Sequence, residues 1–135
     1  MSLPPKQLDR LAMIVCNTGA EIVLSSSWRI RDKRLPRYRK SPARENLERQ
    51  LSTVGLSITS ETPFLGSKER RGEEISRWLF EFNRRYGYTP SYIILDDDIK
   101  NVIELHRGHV VYCDQFYGLG DNEVNIAINL LNKQG

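Results

Sequence analysis

At 135 residues, with 39% hydrophobic and 27% charged side chains, the chain has the composition of an ordinary globular protein and is expected to form a single domain over residues 1–135. Its two cysteines, Cys16 and Cys113, are too few for a disulfide framework and read as buried thiols. No apolar run approaches the roughly 20 residues of a membrane span and nothing reads as a signal peptide, so a cytoplasmic or nuclear protein is expected. The net charge of +3 conceals a local excess: between Arg29 and Arg49 nine Lys/Arg stand against three Asp/Glu, giving +6 there and −3 over the remainder. That excess points to a phosphate-rich partner or, with equal weight on charge alone, to a solvated loop and helix face.

In chain order, Leu8, Leu11, Ala12 and Val15 fall at i, i+3, i+4, i+7 and predict an amphipathic helix that Gly19 would cap. "EIVLS" then reads as a short strand that runs into Ser25, Ser26 and Ser27. Leu47, Leu51 and Val54 mark a second helix closed by Gly55, and "LSITS" (Leu56 to Ser60) is a candidate strand. Ile75, Trp78, Leu79 and Phe82 repeat the helical spacing. "YIILDDD" (Tyr92 to Asp98) is an apolar strand ending in three acids, and Ile99, Val102 and Ile103 suggest one or two helical turns. "VVYCD" is the last strand, and Val124, Ala127, Ile128 and Leu131 make the closing helix. Helices and doubly apolar strands alternate throughout. That pattern predicts an α/β fold, a three-layer Rossmann-like parallel sheet with helices on both faces.

In such sheets chemistry lies just beyond the carboxyl ends of the strands. The first strand delivers Ser25, Ser26 and Ser27 there, the third Asp96, Asp97 and Asp98, and the fourth Asp114; Lys68, Arg70 and Arg71 precede the third helix. Hydroxyls and cations suit phosphate oxygens, and carboxylates suit a magnesium ion. Taken singly, the serines could merely cap a helix, "DDD" could form an Asx-type turn, and the cations could be surface charge. His106 and His109 flank an expected turn and read as polar surface residues, not metal ligands.

"GAEIVLSSSWR", "TPFLG…RRGEEISRWL", "YIILDDD" and "VVYCDQFYGLG", in that order, resemble the haloacid-dehalogenase-like (HAD) phosphohydrolase superfamily, and within it the domain associated with Swiss-Army-knife RNA repair proteins. The resemblance runs from about Leu8 to Leu131. It implies that Ser25 hydrogen-bonds the substrate phosphate, with Ser26, Ser27 and Arg29 assisting, and that Trp28 mainly packs. The basic catalytic residue is assigned to Arg71, with Lys68 as runner-up because the family more often uses lysine. Asp96 and Asp97 correspond to the magnesium-holding motif, with Asp98 outside it.

The chain departs from the family at one point. Members begin with a strand ending in D-x-D, whose first aspartate attacks phosphorus and whose second is general acid/base. Only Met1 to Lys6 precede the first helix, and Asp9 and Asp32 are the only aspartates before Asp96. The fold is therefore expected to lack its first central strand, the one between "IVLS" and "YIILD". Either the chain is a piece of a longer protein, or these two strands pair directly, or another polypeptide fills the gap. Magnesium is expected to bind weakly or not at all. Three functions follow: a magnesium-dependent phosphohydrolase domain, acting on nucleic-acid phosphate ends when intact but inactive as this chain; a non-catalytic module binding phosphate, RNA or DNA; or a pseudo-enzyme kept for assembly.

Overall fold

A computed structural model of the chain describes residues 4–25, 42–66, 68–96, 99–113 and 118–134. Helix α1 (Pro5–Thr18) ends on Gly19, whose φ of 72° is the left-handed conformation that glycine adopts without a Cβ penalty and whose N–H returns to the Val15 carbonyl. Strand β1 (Ile22–Leu24) follows, then α2 (Pro42–Ser52), β2 (Ile58–Glu61), a 3-10 turn (Lys68–Arg70), α3 (Arg71–Tyr86), β3 (Ile94–Asp96), a second 3-10 turn (Ile99–Asn101), β4 (Val110–Tyr112) and α4 (Asp121–Gln134). Each element grows from the periodicity expected of it, with β2 displaced toward Glu61.

The strands pair in parallel. Ile94, Leu95 and Asp96 stand opposite Val110, Val111 and Tyr112, while Ile22 and Leu24 stand opposite Ile58 and Glu61, with an irregularity after Ile22. The described strands do not join into the one continuous sheet expected. β1–β2 and β3–β4 are two separate pairs. Direct pairing of β1 with β3, one of the three arrangements left open by the sequence, is not adopted among the described residues.

Side-chain packing does what strand pairing does not. Leu8 of α1 is buried with Leu24, Leu47, Leu51 and Leu56 around the first pair. Ile14 of the same helix is buried with Val111, Leu119, Val124, Ala127 and Leu131 around the second. Helix α1 thus belongs to both cores, and it reinforces this through Arg10, which donates to the Leu119 carbonyl at 2.9 Å and to Asp121 at 3.1 Å. Neighbouring residues of β3 go to different clusters, Leu95 with α4 and Ile94 with Ile75 of α3. Successive strand side chains point to opposite faces, so this pair is covered by helices on both.

Both cysteines are free, but Cys16 is exposed and Cys113 half-buried, against the expectation of buried thiols. Cys16 follows Val15 on the helix and so turns out of the stripe that faces β1. Among the described residues no helix is long and apolar enough to cross a membrane.

Candidate functional site

Two residues assigned from the sequence meet where β3 ends and α3 begins. Asp96 is the last residue of β3 and only 8% exposed. Arg71 is the first of α3, and its Nη1 donates to Asp96 Oδ2 at 2.7 Å. A guanidinium on a buried carboxylate offsets the desolvation that either charge would suffer alone. Among the described residues Nε and Nη2 of Arg71 have no partner, and its side chain keeps 21% exposure. Those donors remain for an anion, at the positive end of a helix dipole.

The start of α3 is held in place by groups to which the sequence pattern gave no part in the site. A Cβ on Gly72 would lie 2.8 Å from the Asn101 carbonyl oxygen, so only glycine lets the helix begin against the turn after β3. The Gly72 carbonyl lies 2.9 Å from His106 Nε2, and His106 Nδ1 lies 2.8 Å from the Tyr92 hydroxyl. These contacts are satisfied together when Nε2–H donates to Gly72 and the Tyr92 hydroxyl donates to Nδ1. Burial pushes the Tyr92 phenol above its ordinary value of 10.0. The Tyr92 ring also stacks on His109 at 3.9 Å. His106 is 3% exposed, which corrects the expectation of a surface role. It sits at a turn, but α3 closes over that turn.

Glu74, 1% exposed, accepts the Leu65 N–H at 2.7 Å, and Arg70 bonds Glu73 and the Leu65 carbonyl. Together they fix the loop ahead of α3, so Arg70 is committed to structure. One sequence signal could have found Glu74: it lies four residues before Trp78 and so shares a helix face with it.

Ser25 follows the last residue of β1, on the other strand pair. Beside it the Thr62 N–H donates to the Leu24 carbonyl at 3.0 Å, extending the ladder past Glu61. Arg44, from the basic segment, is 7% exposed and pairs with Glu48 at 3.1 Å and with Glu61. Its charge is thus neutralised internally. Ser26, Ser27, Arg29 and Asp97, with Trp28, Asp98 and Asp114, lie outside the described residues, as does the side chain of Lys68.

Among the described residues no group of three or more His, Cys, Asp or Glu side chains is placed to hold a metal ion. Magnesium prefers about six oxygens. Asp96 offers one carboxylate, and a guanidinium 2.7 Å from its Oδ2 opposes a second cation. The described residues do not make a magnesium site.

The family described as the HAD domain in Swiss Army Knife RNA repair proteins matches residues 2–124. No curated protein and no solved structure matches the chain.

Proposed function

The chain belongs to the family of HAD domains in Swiss Army Knife RNA repair proteins, a phosphatase-like class, and we propose on that footing that it recognises nucleic-acid phosphate ends and does not hydrolyse them unaided. The observation that carries this reading is the half-committed guanidinium of Arg71. One nitrogen is spent on Asp96 while the others remain for phosphate oxygens. Ser25 is the hydroxyl donor in the same reading, with Lys68, Ser26, Ser27 and Arg29 as further contacts. Magnesium enters it only through Asp96 and Asp97 together, two adjacent carboxylates that would hold the ion no tighter than roughly millimolar.

Binding of this kind does not supply a reaction. The covalent step needs a carboxylate in line with the leaving oxygen. Asp9 lies exposed on α1 and Asp96 is turned to Arg71. Neither of these described aspartates is placed as a nucleophile, and direct attack by water without a general base forfeits about 10²–10⁴-fold. The separation of β1 from β3 favours a further reading of the same site: a strand ending in D-x-D, from this polypeptide or a partner, completes sheet and catalysis together.

The test is hydrolysis of a generic aryl phosphate with magnesium, before and after such a strand is fused upstream of Leu8 or added as a peptide. Turnover is expected only after the addition. Robust turnover by the unmodified chain, lost on Ser25→Ala, would show that the nucleophile lies elsewhere.

A further inference from the structure

Helix α3 runs out of the core before it ends. Leu79 is its last residue to pack on the buried cluster of Ile75, Ile94 and Val102, and from Phe80 to Thr89 every residue except Phe82 is exposed. This outer stretch is nevertheless aromatic, and its rings are held against one another.

Trp78, Phe82 and Tyr86 recur every four residues and so share one face of the helix. Ring centroids are 5.3 Å apart from Trp78 to Phe82 and 4.6 Å from Phe82 to Tyr86. The chain then turns at Gly87, whose φ is 82° and whose N–H returns to the Asn83 carbonyl. The Asn83 side-chain amide donates to Thr89 Oγ1 at 3.2 Å across that turn, and Tyr88 comes back edge-on to Phe82 at 5.3 Å. At its inner end the row is tied to β2, where Trp78 Nε1–H donates to Ser60 Oγ at 2.9 Å. At its outer end Tyr86 and Tyr88 keep 55% and 58% exposure. Rings already held by their neighbours lose little freedom when a further group stacks on them.

The charge beside the rings is positive. From Arg77 to Tyr88 three arginines stand against Glu81 alone, a local +2. The Arg85 guanidinium lies over Tyr86, 5.4 Å from the ring centroid. Arg84 pairs with Glu81 at 2.7 Å, but the two side chains are 72% and 45% exposed, and so open a pair is worth little against a phosphate.

These residues decide the class of partner. From Phe80 to Thr89 there is no Leu, Ile, Val or Met, the side chains that fill an apolar contact between protein elements. Rings and guanidinium groups suit an unpaired strand, whose bases stack on the first and whose phosphates bond the second. A duplex keeps its bases stacked on each other and offers mainly its phosphates.

We propose that the C-terminal half of α3, with Tyr86 and Tyr88 as its outermost rings, is a stacking platform for an unpaired nucleic-acid strand, with Arg84 and Arg85 on the phosphates. This goes beyond the phosphate-end reading and uses none of its residues. The platform takes the body of a strand, whatever group ends it.

The probes are a short oligouridylate without a terminal phosphate and a duplex of the same length, followed by fluorescence anisotropy. The single strand should bind about tenfold or more tighter than the duplex. Tyr86→Leu with Tyr88→Leu keeps apolar surface and removes the rings, and should weaken single-strand binding about tenfold or more. Tyr86→Phe with Tyr88→Phe keeps the rings and should keep the affinity. Both residues are exposed, so neither pair of substitutions should move the melting temperature far. Arg84→Gln with Arg85→Gln should reduce the salt slope by about 1.4. Equal affinity for strand and duplex, or undiminished affinity in the leucine variant, overturns the platform. So does self-association in sedimentation velocity that the leucine variant abolishes, which would assign the face to a second copy of the chain. Adding a terminal phosphate to the same strand reads the phosphate-end contact separately. Affinity that does not rise would overturn that reading, with the leucine variant still deciding the platform.

Discussion

Arg71 and Asp96 make one contact that carries a structural role and, in the proposed function, a binding role as well. The Asp96 side chain is 7% exposed and that of Arg71 21%, so the pair is far enough from water for its loss to register. Arg71→Gln leaves a carboxylate buried without its counter-charge and should cost about 3 kcal/mol in urea unfolding. Asp96→Asn removes one charge but leaves an amide oxygen to accept from the guanidinium, now on the more exposed partner. It should cost about 1 kcal/mol. The asymmetry is the expected result. Equal costs for the two substitutions would mean that burial of the carboxylate is not what the arginine compensates.

At the scale of the element, helix α3 is the part whose position matters most, because its first residue is the phosphate ligand of the proposed function. Its entry is set by Gly72 against Asn101, by His106 against the Gly72 carbonyl, and by Glu74 against Leu65. An exposed glycine inside a helix is ordinarily improved by alanine, by about 1 kcal/mol. Here the sign should reverse. A Cβ at position 72 meets a backbone oxygen at 2.8 Å, and backbone cannot rotate away as a side-chain end can. Gly72→Ala should therefore destabilise by about 1–3 kcal/mol and weaken phosphate binding by moving Arg71. A melting temperature that rises in calorimetry would refute the close approach and the positioning role with it.

At the scale of the molecule, charge is distributed less simply than the count suggests. The segment from Arg29 to Arg49 carries +6, yet Arg44 is enclosed by Glu48 and Glu61 and is not available to a ligand. The remaining candidates, Arg31, Lys33, Arg34, Arg37, Arg39 and Lys40, with Tyr38 for stacking, lie outside the described residues. If they bind single-stranded RNA or DNA, log affinity should fall linearly with log salt concentration, by about 0.7 per phosphate neutralised. Replacing Arg34, Arg37 and Lys40 by glutamine should reduce that slope by about 2, measured by fluorescence anisotropy across a salt series. An affinity indifferent to ionic strength would remove the basic segment from the interface. Arg44→Ala should act on stability instead, because it uncovers Glu61.

Local order was legible in the residues themselves. The i, i+3, i+4 spacing of Leu8, Leu11, Ala12 and Val15, the stop at Gly19, and the apolar run ending at Asp96 all concern neighbours within about one helical turn or one strand, where spacing alone decides which side chains share a face. The family resemblance was legible for the same reason, since "RGEEI" and "YIILDDD" are contiguous. What only the tertiary structure decided lies between residues far apart in the chain. The contact from Arg71 to Asp96 spans 25 positions and that from Gly72 to His106 spans 34, and no periodicity encodes either. His106 is buried because α3 packs over its turn, the Thr62 hydroxyl is left without a hydrogen-bond partner among the described residues, and Arg44 is neutralised in part from another element. The division of the strands into two pairs belongs here too: each strand's pattern states that it is buried on both faces, but not which strand lies beside it.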